Sequence, residues 1–162
     1  MDIPANGGEA AFVINAHNKD EYPPMHTAEH VLNQTMVRMF GCSRAVGAHI
    51  ERKKSKCDYL LDRAPTPEEI AGIERRVNEV LARGLPVTVE FMSQSEAAGF
   101  VDLARLPEGA SDTVRIVRIG DYDVCACAGS HVANTRDIEG AFRIISSDWA
   151  DGRWRVRFKL ES

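Results

Sequence analysis

The sharpest constraint on the fold is a change of period. The stretch APTPEEIAGIERRVNEVLARG, residues 64–84, is followed almost at once by PVTVEFMS, residues 86–93. In the first, Ile70, Ile73, Val77, Val80 and Leu81 recur at helical spacing and draw one apolar stripe. In the second, apolar and polar residues alternate at period two, the mark of a strand with one covered face. Thr66 predicts the helix start, with Glu69 three residues on to complete a capping box, and Gly84 predicts its stop. A one-sided helix beside a one-sided strand needs a shared core, which points to helices packed on a sheet.

The rest of the chain extends that pattern. Pro23 and Pro24 suit a first helical turn, and residues 25–40 follow with Ala28, Leu32, Met36, Met39 and Phe40 on one arc. Gln34 and Arg38 are expected to face away from that arc, and Gly41 to end the helix. Residues 46–61 read as one or two strands, and 95–110 as helix or loop. TVRIVRIGDYDVCACAGSH, from residue 113, reads as two strands broken at Gly120 and Asp121. AFRIISSDWADGRWRVRFKL, from residue 141, reads as a hairpin turning at Asp151-Gly152, with Trp149 and Trp154 as hairpin packing. The expectation is one α+β domain over residues 25–162, a mostly antiparallel sheet packed by two main helices, after an irregular segment over 1–24. A chain of 162 residues with 44% apolar content can bury such a core. No stretch approaches the roughly 18 apolar residues of a membrane helix. The first residues carry no basic, apolar leader, so a cytoplasmic location with no membrane partner is expected.

Chemistry concentrates in two short segments. MHTAEH opens the first helix and places His26 and His30 four residues apart, on one face and at the edge of the apolar arc. Far downstream, CACAGSH holds Cys125, Cys127 and His131 where a strand end runs into a turn. Three of the chain's five histidines fall in these two segments. Two histidines, a thiolate and a further histidine form a nitrogen-and-sulfur donor set that suits zinc. With no export signal, the four cysteines are expected to stay reduced, and Cys42 and Cys57 read as packed or surface thiols. Cys125 shares a strand face with Cys127 and reads either as a neighbour of the site or as a spare thiol. Asn134 and Thr135 are expected to fix the turn after the motif by side-chain-to-backbone bonds.

The net charge of −4 disfavours a nucleic-acid partner by its sum, but the distribution is uneven. ERKKSK, residues 51–56, is basic and includes Lys54 and Lys56. RWRVRFK places Arg153, Arg155, Arg157 and Lys159 on one face of a strand. By itself that face reads as a solvated edge.

HTAEH followed by VLNQTM, then CAGSHVANTRDIEGAFRI, resembles the editing-domain signature of alanyl- and threonyl-tRNA synthetases, HxxxH with a distant CxxxH. The ending HVxNTxxIxxxFRI is closer to the alanyl side, which includes the freestanding AlaX-like editing proteins. The resemblance covers residues 25–160. It implies the second additional (editing) domain fold, with zinc between the first helix and the sheet. It implies His26, His30, Cys127 and His131 as the zinc ligands. The implied activity is hydrolysis of the ester in mischarged aminoacyl-tRNA, with serine on alanine tRNA first. Glycine on alanine tRNA and serine on threonine tRNA follow. The chain has no room for an aminoacylation domain, so action in trans is expected, with a tRNA acceptor end as partner and no DNA. The basic segments then become candidates for phosphate contact. Three positions depart from the family. A threonine of small archaeal members falls here on Gly47, a glutamine of the alanyl synthetases on Ala45, and an aspartate of the threonyl enzymes on Cys125. The metal site carries over and the amino-acid specificity does not. Gly47, His49, Cys125, Lys54 and Lys56 stand as substrate-side candidates, while His17 reads as bland.

Two rival readings share the same residues. HTAEH also matches HxxEH, the inverted zinc-protease motif with Glu29 as general base, which needs a further acidic ligand such as Glu96 or Glu108 and leaves CAGSH unexplained. A softer version keeps Glu29 as a proton shuttle within an editing enzyme. Otherwise Glu29 is an exposed helix residue beside His26. The second rival is a non-catalytic domain that zinc staples and that binds tRNA or a synthetase.

Overall fold

The structure, a computed structural model, describes residues 22–103 and 112–162. Helix α1 (Pro23–Phe40) opens on the proline pair. Its N-cap, Tyr22, is extended and makes no side-chain cap, so the helix depends on burial. Gly41 ends it with φ 67°, a conformation that costs glycine nothing, and its N–H reaches the Val37 carbonyl oxygen at 2.9 Å. Strands β1 (Gly47–His49) and β2 (Ser55–Leu60) follow. Helix α2 (Pro67–Ala82) carries the expected capping box, with the Thr66 hydroxyl accepting from the Glu69 N–H at 3.1 Å and the Glu69 carboxylate accepting from the Thr66 N–H at 2.8 Å.

After α2 come β3 (Val87–Ser93), the one-turn helix α3 (Gln94–Ala97), β4 (Thr113–Ile119) and β5 (Asp123–Ala126). A 3-10 turn (Thr135–Asp137) leads to β6 (Ala141–Ala150) and β7 (Arg153–Glu161). Asp151 and Gly152 join the last two strands with φ 53° and 79°, the mirror-image turn whose twist matches a hairpin.

The fold is α+β, and its antiparallel strands sort into two sheets. One runs β1-β2-β7-β6 and the other β3-β4-β5. The first sheet turns Cys57, Tyr59, Phe142, Trp154, Val156 and Phe158 onto both long helices. Against them lie Met25, Val31, Leu32 and Met36 of α1 and Ile73, Val77 and Leu81 of α2. Each Val, Leu, Ile, Phe or Met among them contributes roughly 1.5–3 kcal/mol on burial. Trp154 packs beside Tyr59, while the exposed Trp149 donates its indole N–H to the Leu61 carbonyl oxygen at 3.0 Å.

One expectation about α1 is corrected. Gln34 and Arg38 do not simply face solvent. Gln34 donates to Asp123 at 2.9 Å, and Arg38 donates to the Tyr122 carbonyl oxygen at 2.8 Å. The side of α1 opposite the first sheet is covered by the second, and Thr27, Glu29, His30, Asn33 and Thr35 are buried although polar. Among the described residues no helix is long and apolar enough to cross a membrane.

Candidate metal centre

The covering of α1 from its second side builds the site. The ladder pairs Ile119 with Asp123 and Val117 with Cys125, and the Cys127 N–H continues it to the Arg115 carbonyl oxygen at 3.1 Å. Strand alternation therefore puts Asp123, Cys125 and Cys127 on one face. Just beyond β5 the chain turns, and Arg115 fixes that turn from the neighbouring strand. Its Nη1 donates to the carbonyl oxygens of Cys127 and Gly129, both at 2.7 Å. The turn aims Cys127 and His131 at the N-terminal half of α1.

There His26, His30, Cys127 and His131 converge, one donor atom from each lying within 4.8 Å of the others. The three imidazole centroids are 4.2 to 4.9 Å apart. Cys127 Sγ lies 3.5 Å from His26 Nε2 and 3.6 Å from His131 Nε2. Zinc bonds of about 2.3 Å to sulfur and about 2.0–2.1 Å to nitrogen, at tetrahedral angles, set a sulfur–nitrogen separation of about 3.6 Å. The donor set and its spacing fit that ion.

The opposite ring nitrogens of His26 and His131 are engaged elsewhere, which fixes their inward ones. His26 Nδ1 donates to the Ser130 carbonyl oxygen at 3.1 Å. His131 Nδ1 shares a 2.9 Å hydrogen bond with Thr27 Oγ1, and that hydroxyl also accepts from the Val132 N–H at 3.3 Å. His30, 3% exposed, turns Nδ1 toward Asp123 Oδ2 at 3.6 Å, just beyond hydrogen-bond range. Asp123 is itself clamped by both terminal nitrogens of Arg44, at 2.6 and 3.2 Å, and by Gln34. This is the carboxylate–imidazole support that orients metal-binding histidines.

The electrostatics follow from this crowding. Burial pushes the Cys127 thiol up, but the charge on His30 and hydrogen bonds from His131 and His26 outweigh it and hold the group well below the usual thiol range. Burial opposes the charging of His30, yet the Cys127 thiolate, Asp123 and Glu29 raise it to about 9. Burial, with the charges of His30 and His26, lowers His131. A thiolate is the form a metal requires. Cys125, two residues away, is pushed up to about 12 by burial and donates to the Ala126 carbonyl oxygen at 3.3 Å.

Glu29 is not the exposed helix residue of the simplest reading. It is 8% exposed, and Asn33 donates to its Oε2 at 2.6 Å. Its Oε1 stands 3.8 Å from His26 Nε2 and 3.9 Å from His30 Nε2. Asn33 is fixed in turn, because its Oδ1 accepts from the Tyr59 hydroxyl at 2.7 Å and the Ala45 N–H at 3.2 Å.

Residues 114–157 match the family of the threonyl and alanyl tRNA synthetase second additional domain. The alanine–tRNA ligase of Pyrobaculum calidifontis is 35% identical over 144 residues, covering 85% of this chain and 16% of that protein. That of Methanopyrus kandleri is 30% identical over 161 residues, covering 97% of this chain and 18% of the ligase. That of Fervidobacterium nodosum is 36% identical over 122 residues, covering 75% and 14%. The chain therefore spans less than a fifth of the length of these relatives. The matches support a domain of the tRNA-synthetase editing type.

The other sequence candidates are not among the four converging donors. A Cβ on Gly47 would meet Asp58 and Arg153, on the face opposite Cys57 and Tyr59. His49 is exposed and pairs with Glu51. Lys54 is exposed and Lys56 half-buried, at and after the β1–β2 turn. The basic face of β7 points away from α1, and its arginines are committed. Arg153 and Arg155 both bind Asp58, while Arg157 binds Asp148. Glu96 completes the capping box of α3, and Glu108 lies outside the described residues. Asn134 and Thr135 do fix their turn, Asn134 donating to the Gly84 carbonyl oxygen and Thr135 accepting from the Leu85 N–H. Sequence reasoning missed Thr27, Asn33, Arg44 and Asp123. Only Asp123 left a signal, its even spacing from Cys125 and Cys127 along one strand.

Proposed function

We propose that this chain is a zinc-dependent deacylase of mischarged aminoacyl-tRNA acting in trans. Serine carried on alanine tRNA is the first substrate, with glycine on the same tRNA next. The observation that carries the reading is the convergence of three imidazole nitrogens and the Cys127 thiolate from two distant segments, in a chain similar to alanine–tRNA ligases. His26, His30, Cys127 and His131 would hold the ion, which when bound supplies positive charge to anchor the aminoacyl end and polarise its ester.

Four protein donors make a closed shell, so proton transfer falls to a residue. Glu29 fits that role. Its Oε1 flanks the His26–His30 edge of the cluster, while Asn33 holds the other oxygen. An aminoacyl ester is labile, and a carboxylate that takes a proton from the attacking water and returns it to the ribose oxygen is sufficient general acid–base chemistry. Thr27, Ser130 and Asp123 keep the three rings in place. The exposed Lys54 of the β1–β2 turn and the half-buried Lys56 of β2 remain candidates for acceptor-stem phosphates.

The test is deacylation by zinc-loaded protein of seryl- and glycyl-tRNA for alanine and seryl-tRNA for threonine, with alanyl-tRNA for alanine as control. Release from the mischarged alanine tRNA, and not from the control, is the expected result. Equal release from all four, or none from any with zinc bound, would overturn it.

A further inference from the structure

The β3-β4-β5 sheet carries the metal-site face outward to an open edge. Val89 and Phe91 of β3 share a face, and the register aligns Val89 with Val117 and Phe91 with Arg115. Val117 pairs with Cys125, and Arg115 receives the Cys127 N–H. A row Phe91–Arg115–Cys127 thus crosses one face of the sheet, from its edge to the metal cluster. Two strand spacings separate its ends, about 10 Å, comparable to the span of a nucleoside. Phe91 is 66% exposed and Val89 44%, a placement that core packing does not explain.

Arg115 lies between them. It is half-buried, and its Nη1 is tied to the two turn carbonyls. Among the described residues it forms no ion pair with a carboxylate, unlike Arg44, Arg118, Arg143 and Arg155. A guanidinium without an acidic partner beside an exposed aromatic ring complements a phosphate attached to a planar base.

We propose that Phe91, with Val89 beside it and Arg115 behind it, forms a subsite for the terminal nucleotide of an RNA strand. The base stacks on the Phe91 ring, the phosphate meets Arg115, and the ester-bearing end reaches the cluster. The subsite rests on the reading above, since it recognises the nucleotide that presents the ester. Neither tryptophan competes for the role, because Trp154 is buried and the Trp149 indole N–H is bound to Leu61.

Phe91→Trp supplies a reporter at the shelf. Titration of the zinc-loaded variant with a short RNA ending in CCA is expected to quench its added fluorescence saturably, and inorganic phosphate is not. Phe91→Ala is expected to raise KM for aminoacyl-tRNA about tenfold, in the range for loss of one stacked base, with kcat and zinc content unchanged. Phe91→Tyr is expected to restore KM. Absence of quenching together with an unchanged KM in Phe91→Ala would overturn the subsite. So would a wild-type dimer that Phe91→Glu dissociates in sedimentation, since a second copy would then own this face. RNA-dependent quenching without deacylation of any ester keeps the subsite and removes the reaction. Deacylation without quenching, with KM unchanged in Phe91→Ala, does the reverse.

Discussion

Helices α1 and α2 pack side by side on the same sheet, yet they are built on different rules. Helix α2 is amphipathic and complete in itself, with a capping box, one buried stripe and a solvent face. Helix α1 has no side-chain cap and is buried on nearly every side of its first half. Its buried polar residues face groups from elsewhere in the fold. His131 meets Thr27, Tyr59 meets Asn33, Tyr122 meets Thr35, and Asp123 supports His30. A helix held from one side serves the fold. One held from two sides can carry chemistry between the layers, because water is excluded there and polar partners are fixed.

That contrast can be broken from either helix. The largest effect is expected from Cys127→Ala, which removes the thiolate from the cluster. Bound zinc should fall from one per chain to none by metal analysis. Deacylation should fall by more than about 100-fold, beyond the loss of a supporting partner. The far-UV spectrum should persist, since the core between α2 and the first sheet does not use Cys127. An unfolded Cys127→Ala would favour a zinc staple over chemistry.

Ile73→Ala in α2 should do the opposite. It should cost about 2–5 kcal/mol in urea unfolding, as for other large-to-small core changes, and leave zinc affinity unchanged. Asp123→Asn should weaken zinc about 10–100-fold in chelator competition, with a smaller effect on unfolding of the metal-free protein. If both variants changed zinc affinity equally, the two helices would not be separable in this way.

Smaller effects sharpen the account of α2. Thr66→Ala should lower stability by about 1 kcal/mol through the lost cap, without touching metal binding. Hydrogen bonds from Arg63 and the Thr66 N–H hold the Glu69 carboxyl at about 2, below its ordinary 4.5. A depressed carboxyl stabilises the folded state above its unfolded value. That increment should be lost as pH falls from about 4.5 through about 2, and Glu69→Gln should flatten this part of the stability curve.

The legible parts were those set by local rules. The capping box, the apolar stripe of α2 and the Asp151-Gly152 turn follow from neighbouring residues alone. The two halves of the histidine–cysteine cluster were readable because each is a tight spacing of rare residue types. Their burial was not, since the pattern of α1 shows only the arc that meets the first sheet. Gln34 and Arg38 read as solvent-facing because nothing near them in sequence announces β5 and Tyr122. The alternation of β7 was legible too. Its basic face nonetheless proved committed to Asp58 and Asp148, partners far away along the chain.

The sequence by itself therefore determined which segments become helix and strand, and which four side chains make a zinc-type donor set. Periodicity and donor chemistry are properties of short stretches. Only the tertiary structure decided that the strands divide into two sheets, that α1 lies between them, and that Glu29, Asn33 and Asp123 surround the cluster. Those placements depend on side chains up to about a hundred residues apart meeting across layers. Burial satisfies such contacts in three dimensions, and no spacing along the chain records them.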